Sequence, residues 1–162
     1  MNVSEALIAI RHKVNDRDEV GNSNEELLAY LNEAIQVVSQ YMIAAGSPLL
    51  VEDMTIAQGA STQVALPANF VKFCGTFPAK ITGKTIQLLE DPPMKLRYFV
   101  SYPIVEMDGD MPFHHDELNQ IAVRLACIYV SNQQELDVQQ DQALLTEIQN
   151  SIIAAMKQGQ AQ

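Results

Sequence analysis

The chain has 162 residues and carries 10 Lys+Arg against 20 Asp+Glu, a formal net charge of -10. With 48% hydrophobic and 19% charged residues it has the composition of a globular chain that can build a core. Its acidity argues against clamping nucleic acid, which needs clustered Lys and Arg to neutralise phosphates.

No run approaches the ~20 apolar residues of a membrane span. Met1-Asn2-Val3-Ser4-Glu5 lacks the basic start of a secretion signal. The two cysteines, Cys74 and Cys127, each sit in an apolar run and read as reduced core thiols of a protein made in a cytoplasm.

In chain order, Val3, Leu7, Ile10 and Val14 recur at helical spacing, with Asn2 and Glu5 as an N-cap pair. This first helix is expected to end near Asn15, and the polar stretch Asp16 to Asn22 reads as a loop. Ser23-Asn24-Glu25-Glu26 is a capping box that opens a second helix over roughly 24–45. Its stripe is Leu27, Leu28, Leu31, Ile35, Val38, Met42 and Ala45, closed by Gly46 and Pro48.

From about 50 to 105 the period changes. Thr62 to Leu66, Phe70 to Phe77, Lys84 to Leu89 and Met94 to Tyr102 are short runs rich in Val, Ile, Thr and aromatics, punctuated by Pro and Gly. They predict antiparallel strands, with a hairpin turn at Gly83.

Helix returns after Met111-Pro112, where Pro112 fits a first helical turn or the residue before it. Leu118, Ile121, Ala122, Leu125, Ile128 and Tyr129 form the stripe. After an interruption at Asn132 to Glu135, Asp137 with Gln140 reads as a cap pair. Val138, Leu145, Ile148, Ile152 and Met156 then carry a fourth helix. The last two helices are expected to form a hairpin, followed by a flexible tail over about 157–162. The fold class is therefore α+β: a single domain over 1–162, a small bundle of about four helices with an antiparallel β-rich insertion (about 50–105) between helices 2 and 3.

Candidate chemistry is sparse. Gly83-Lys84-Thr85 has the end of a phosphate-binding loop, but Pro78 stands where the first glycine is needed and offers no N–H, so a hairpin turn is the better reading. His114-His115 lies near Asp108, Asp110, Asp116 and Glu117, yet neighbouring helical residues diverge by about 100° and zinc-protease spacing is missing. Cys74 with His12, His114 or His115 would make a thiol pair that nothing in the sequence orients. No catalytic, cofactor or metal residue is assigned, and no enzyme activity is expected. Five of the ten basic residues, Lys72, Lys80, Lys84, Lys95 and Arg97, fall in the β-region. A basic face there, on an acidic chain, suits an oriented contact between unlike surfaces; the plainer reading is ordinary charge on the outer face of strands.

Several segments together resemble the head–tail adaptor (connector, or head-completion) proteins of tailed bacteriophages. They are Arg11-His12-Lys13-Val14-Asn15-Asp16 at the end of the first helix, and Glu26-Leu27-Leu28-Ala29-Tyr30-Leu31-Asn32-Glu33-Ala34 in the second. Next come Val64-Ala65-Leu66-Pro67-Ala68-Asn69-Phe70, and Tyr98 to Pro103 leading into Asp108 to Leu118. The likeness spans about 11–150.

It implies a structural virion protein at the neck, made in the host cytoplasm. Such a protein assembles as a ring, twelve-fold to match the portal, between the portal protein and tail or stopper proteins. DNA would pass through the ring without specific binding. The resemblance also implies portal docking through the C-terminal region, here Ile148, Ile152, Met156, Lys157, Gln158, Gln160 and Gln162, and under it the basic residues Lys72, Lys80, Lys84, Lys95 and Arg97 are expected at an inter-subunit or tail contact. The alternative is a cytoplasmic protein-interaction module with no virion role.

Overall fold

A computed structural model describes residues 1–17, 20–132 and 138–159. Two compact units result: a helical unit of residues 1–46 and 102–162, and a β unit of residues 47–101 inserted into it. The α+β class, with strands between the second and third helices, is the observed architecture.

The helical unit contains α1 (Val3–Lys13), α2 (Asn24–Ala44), α3 (Asp116–Asn132) and α4 (Val138–Gly159). Both predicted capping boxes form. Asn2 and Glu5 satisfy each other's backbone N–H groups at α1, and Ser23 and Glu26 do so at α2. Helix α2 stops where Gly46 takes φ +73°, a left-handed turn that glycine enters without a Cβ penalty. Helix α3 packs on α1, α2 and α4. The shared core is Ile10, Leu27, Leu31, Ile35, Val38, Met42, Leu125 and Ile152, all buried. Each such side chain contributes about 1.5–3 kcal/mol of burial.

Arg11 latches the turn between α1 and α2. Its guanidinium donates to Asp16 at 2.8 Å, to the Asn22 carbonyl at 3.0 Å and to Asn24 at 2.8 Å. Asp16 in turn accepts from the Gly21 and Asn22 backbone N–H groups, which, with Arg11, hold its carboxyl below the usual range.

Two helix boundaries differ from the sequence expectation. Helix α3 begins at Asp116, not at Pro112, because Asn119 turns its side chain back to accept from Phe113 N–H and donate to Phe113 C=O. The approach is thereby fixed as a loop. Helix α4 continues to Gly159, so 157–159 are helical where a tail is expected. Asp137 and the Gln140 side chain, expected as a cap pair, and residues 160–162 of the expected tail lie outside the described residues.

The β unit opens with a 3-10 turn at Pro48–Leu50 and holds six strands. These are β1 (Val51–Ile56), β2 (Gln63–Ala65), β3 (Phe70–Phe73), β4 (Ala79–Thr82), β5 (Thr85–Leu88) and β6 (Met94–Val100). They form two antiparallel three-stranded sheets, ordered β1-β6-β3 and β2-β5-β4. The inner faces meet in a small core of Ile56, Ile86, Leu88 and Leu96, with Met54, Val64, Leu66, Phe73, Phe77, Ala79 and Met94 around it.

Gly83 has φ +61° at the first position of the two-residue loop joining Thr82 to Thr85, as a II′ hairpin requires. Strand β3 ends at Phe73, short of the expected Phe77, because Gly75 at φ +113° turns the chain away. The segment Leu66-Pro67-Ala68-Asn69-Phe70 is a tight turn: Phe70 N–H reaches Pro67 C=O at 3.3 Å while Asn69 sits at φ +59°. Asparagine tolerates that conformation better than most side chains. Among the described residues no helix is long and apolar enough to cross a membrane.

Candidate functional site

The five basic residues of the β unit are all exposed but do not share one face. Strand alternation along β6 turns Lys95, Arg97 and Phe99 to the side opposite Leu96 and Tyr98, with Lys95 and Arg97 exposed and Phe99 buried. Register then places Asp53 of β1 opposite Arg97, and Lys72 of β3 opposite Phe99.

Arg97 grips Asp53 with two donors, Nε at 2.8 Å and Nη2 at 3.2 Å, and Lys95 Nζ approaches the same carboxylate at 3.1 Å. Lys72 Nζ lies 5.6 Å from the centre of the Phe99 ring, within cation–π range. Hydrogen bonds from Arg97 and then Lys95 hold the Asp53 carboxyl down at about 2. The same carboxylate raises Arg97 further, so this group stays charged at any working pH.

Lys80 stands on β4 opposite Gln87, on the outer side of the second sheet, and Lys84 occupies the β4–β5 turn. The basic cluster therefore comprises Lys95 and Arg97, held by Asp53, and Lys72, held over the Phe99 ring. Asp53 escapes sequence reasoning because its main partner, Arg97, is 44 residues away, and only the β1–β6 register joins them. No local pattern marks it, since Glu52 and Asp53 interrupt the apolar residues of β1.

Ile148, Ile152 and Met156, expected at a docking surface, are instead buried in the helical unit. Their helical spacing directs them to the core, and among the described residues the large apolar side chains that α4 exposes are Leu144 and Ile153. The Lys157 and Gln158 side chains, and Gln160 and Gln162, lie outside the described residues.

His114 and His115 are exposed on the loop before α3, and no group of three His, Cys, Asp or Glu among the described residues is arranged to hold a metal. Cys74 lies in the β unit, just beyond β3, while His12, His114 and His115 belong to the helical unit. Both cysteines are free and half-buried, less enclosed than core thiols, and burial pushes the Cys127 thiol up.

A second surface is acidic. The chain joins the start of α1 to the loop before α3: Asn2 bridges Asp110, Val3 N–H reaches Gly109 C=O at 3.0 Å, and Met111 N–H reaches Met1 C=O at 3.2 Å. This gathers Glu5, Glu106, Asp108, Asp110, Asp116 and Glu117, all exposed, at one end of the helical unit. The Met1 ammonium, 3.8 Å from Asp116, offsets one of these charges. Comparison with protein-family models and with curated proteins finds no match for this chain.

Proposed function

We propose that the chain is a non-catalytic structural virion protein that joins head to tail in a tailed bacteriophage. It forms a ring under the portal and extends the DNA channel. The observation that carries this reading is the element order: two helices, a β insertion, two helices. That order accompanies the resemblance over about 11–150, and Pro67-Ala68-Asn69-Phe70 within it is a defined turn.

Charge supports it as well. A net charge of -10 suits a conduit that must repel DNA phosphates and let the genome pass. Because Ile148, Ile152 and Met156 are buried, portal contact through the C-terminal region falls to the outer side of α4 and the residues after it.

The test is co-sedimentation with the portal protein encoded beside this chain. Migration with the portal at about one subunit to one, as ring matching requires, is the expected result. A chain that stays at the top of the gradient across salt and concentration overturns the reading and leaves the protein-interaction module. Deleting 160–162 while keeping the buried α4 residues then asks whether the terminus contributes to docking.

A further inference from the structure

We propose that the Lys72–Lys95–Arg97 face of the first sheet docks against the acidic end of the helical unit of a second copy of this chain. This deepens the ring reading and rests on it. The chain segregates charge between its units. The β unit holds five Lys+Arg against four Asp+Glu, a net of +1, and the helical unit holds five against sixteen, a net of -11.

The sheet face is exposed where it is basic: the Lys95 side chain is 61% accessible and Arg97 55%. Lys95 and Arg97 share the carboxylate of Asp53, and Lys72 lies over the Phe99 ring, so three cations stand with one anion and two positive charges are left for a partner. Asp53 and the Phe99 ring hold those cations in place, which lowers the ordering cost of a contact.

The matching surface on the same polypeptide is the end built from Glu5, Glu106, Asp108, Asp110, Asp116 and Glu117. One chain thus presents two different and complementary patches. That is the requirement for a heterologous, head-to-tail contact, which closes into a ring or runs on as a filament. Lys80 and Lys84, on the other sheet, take no part.

The experiment uses two double variants of the full chain. K95E/R97E makes both patches acidic, and D108K/D110K turns the acidic end basic. Sedimentation velocity over a concentration series, at about 50 and about 500 mM NaCl, reads self-association through the change in screening length. The wild type is expected to associate at low salt and to weaken about tenfold or more at high salt. Each variant alone is expected to stay monomeric, and their equimolar mixture to associate, because each supplies the patch that the other has lost.

Circular dichroism checks that both variants fold. Should one fail, the neutral variants K95Q/R97Q and D108N/D110N replace them, each expected to weaken wild-type association about threefold or more. A mixture that behaves as the sum of its parts, a wild type monomeric throughout, or association unchanged by either variant overturns the proposal. So does retention of duplex DNA by the wild type and not by K95E/R97E, without self-association. Rescue in the mixture without portal binding keeps the interface and removes the ring reading. Portal binding at one to one without rescue does the reverse.

Discussion

The two units stabilise themselves by different means. In the helical unit, large side chains such as Ile10, Leu31, Ile35 and Met42 are wholly enclosed, and polar latches hold the loops: Arg11 at the α1–α2 turn, Asn119 before α3. Asn32 adds another, accepting from Val105 N–H at 2.8 Å and donating to its C=O at 3.1 Å. In the β unit the sheets enclose a small buried cluster, Ile56, Ile86, Leu88 and Leu96, so a larger share of order rests on ladder register and turn geometry. A unit of the first kind fails when its interior is emptied. One of the second kind fails when its turns are strained.

The largest effect that would sharpen this contrast is Ile35→Ala. It should cost about 2–5 kcal/mol, read as a drop in the denaturation midpoint at a helix-sensitive wavelength. Arg11→Met should come next, lowering Tm by about 5 °C or more, because Asp16 loses its counter-ion while three acceptors lose their donor. Asn119→Ala removes both partners of Phe113 and should cost about 1–3 kcal/mol, visible as faster amide exchange over 113–118.

Gly83→Ala forces a side chain into φ +61° and should cost about 1–2 kcal/mol, with exchange rising in β4 and β5. An equal loss of protection in α1–α3 would break the contrast. The smallest effect belongs to Asp53. Its folded pKa of about 2 lies below the ordinary 3.8, so its contribution is present above about 4 and lost as pH falls toward 2. Carboxyl NMR titration should report that value, and Arg97→Gln should move it up toward 3.8.

The helices were legible because caps and stripes are local: Asn2 with Glu5, Ser23 with Glu26, and Gly46 each act within a few residues. The hairpin at Gly83 was legible for the same reason. Strand β1 was not, since Glu52 and Asp53 break its apolar pattern and only pairing with β6 defines it. The start of α3 was misplaced because Asn119 acts backwards on Phe113, a use of its side chain that its place in a helix does not announce. The basic residues were visible in the sequence. Their division between two sheets, and the role of Asp53, depend on register.

Val51 and Phe99 are register partners, so the strands that carry the chain into and out of the β unit run side by side from its first residues. Facing residues of an antiparallel pair lie about 5 Å apart. From the standpoint of α2 and α3, the whole insertion is a loop already closed at its neck. Its length therefore adds little closure entropy to the helical scaffold. The neck is a natural exchange point, where a longer, shorter or differently charged β module could be exchanged while the latches of Arg11, Asn32 and Asn119 stay as they are.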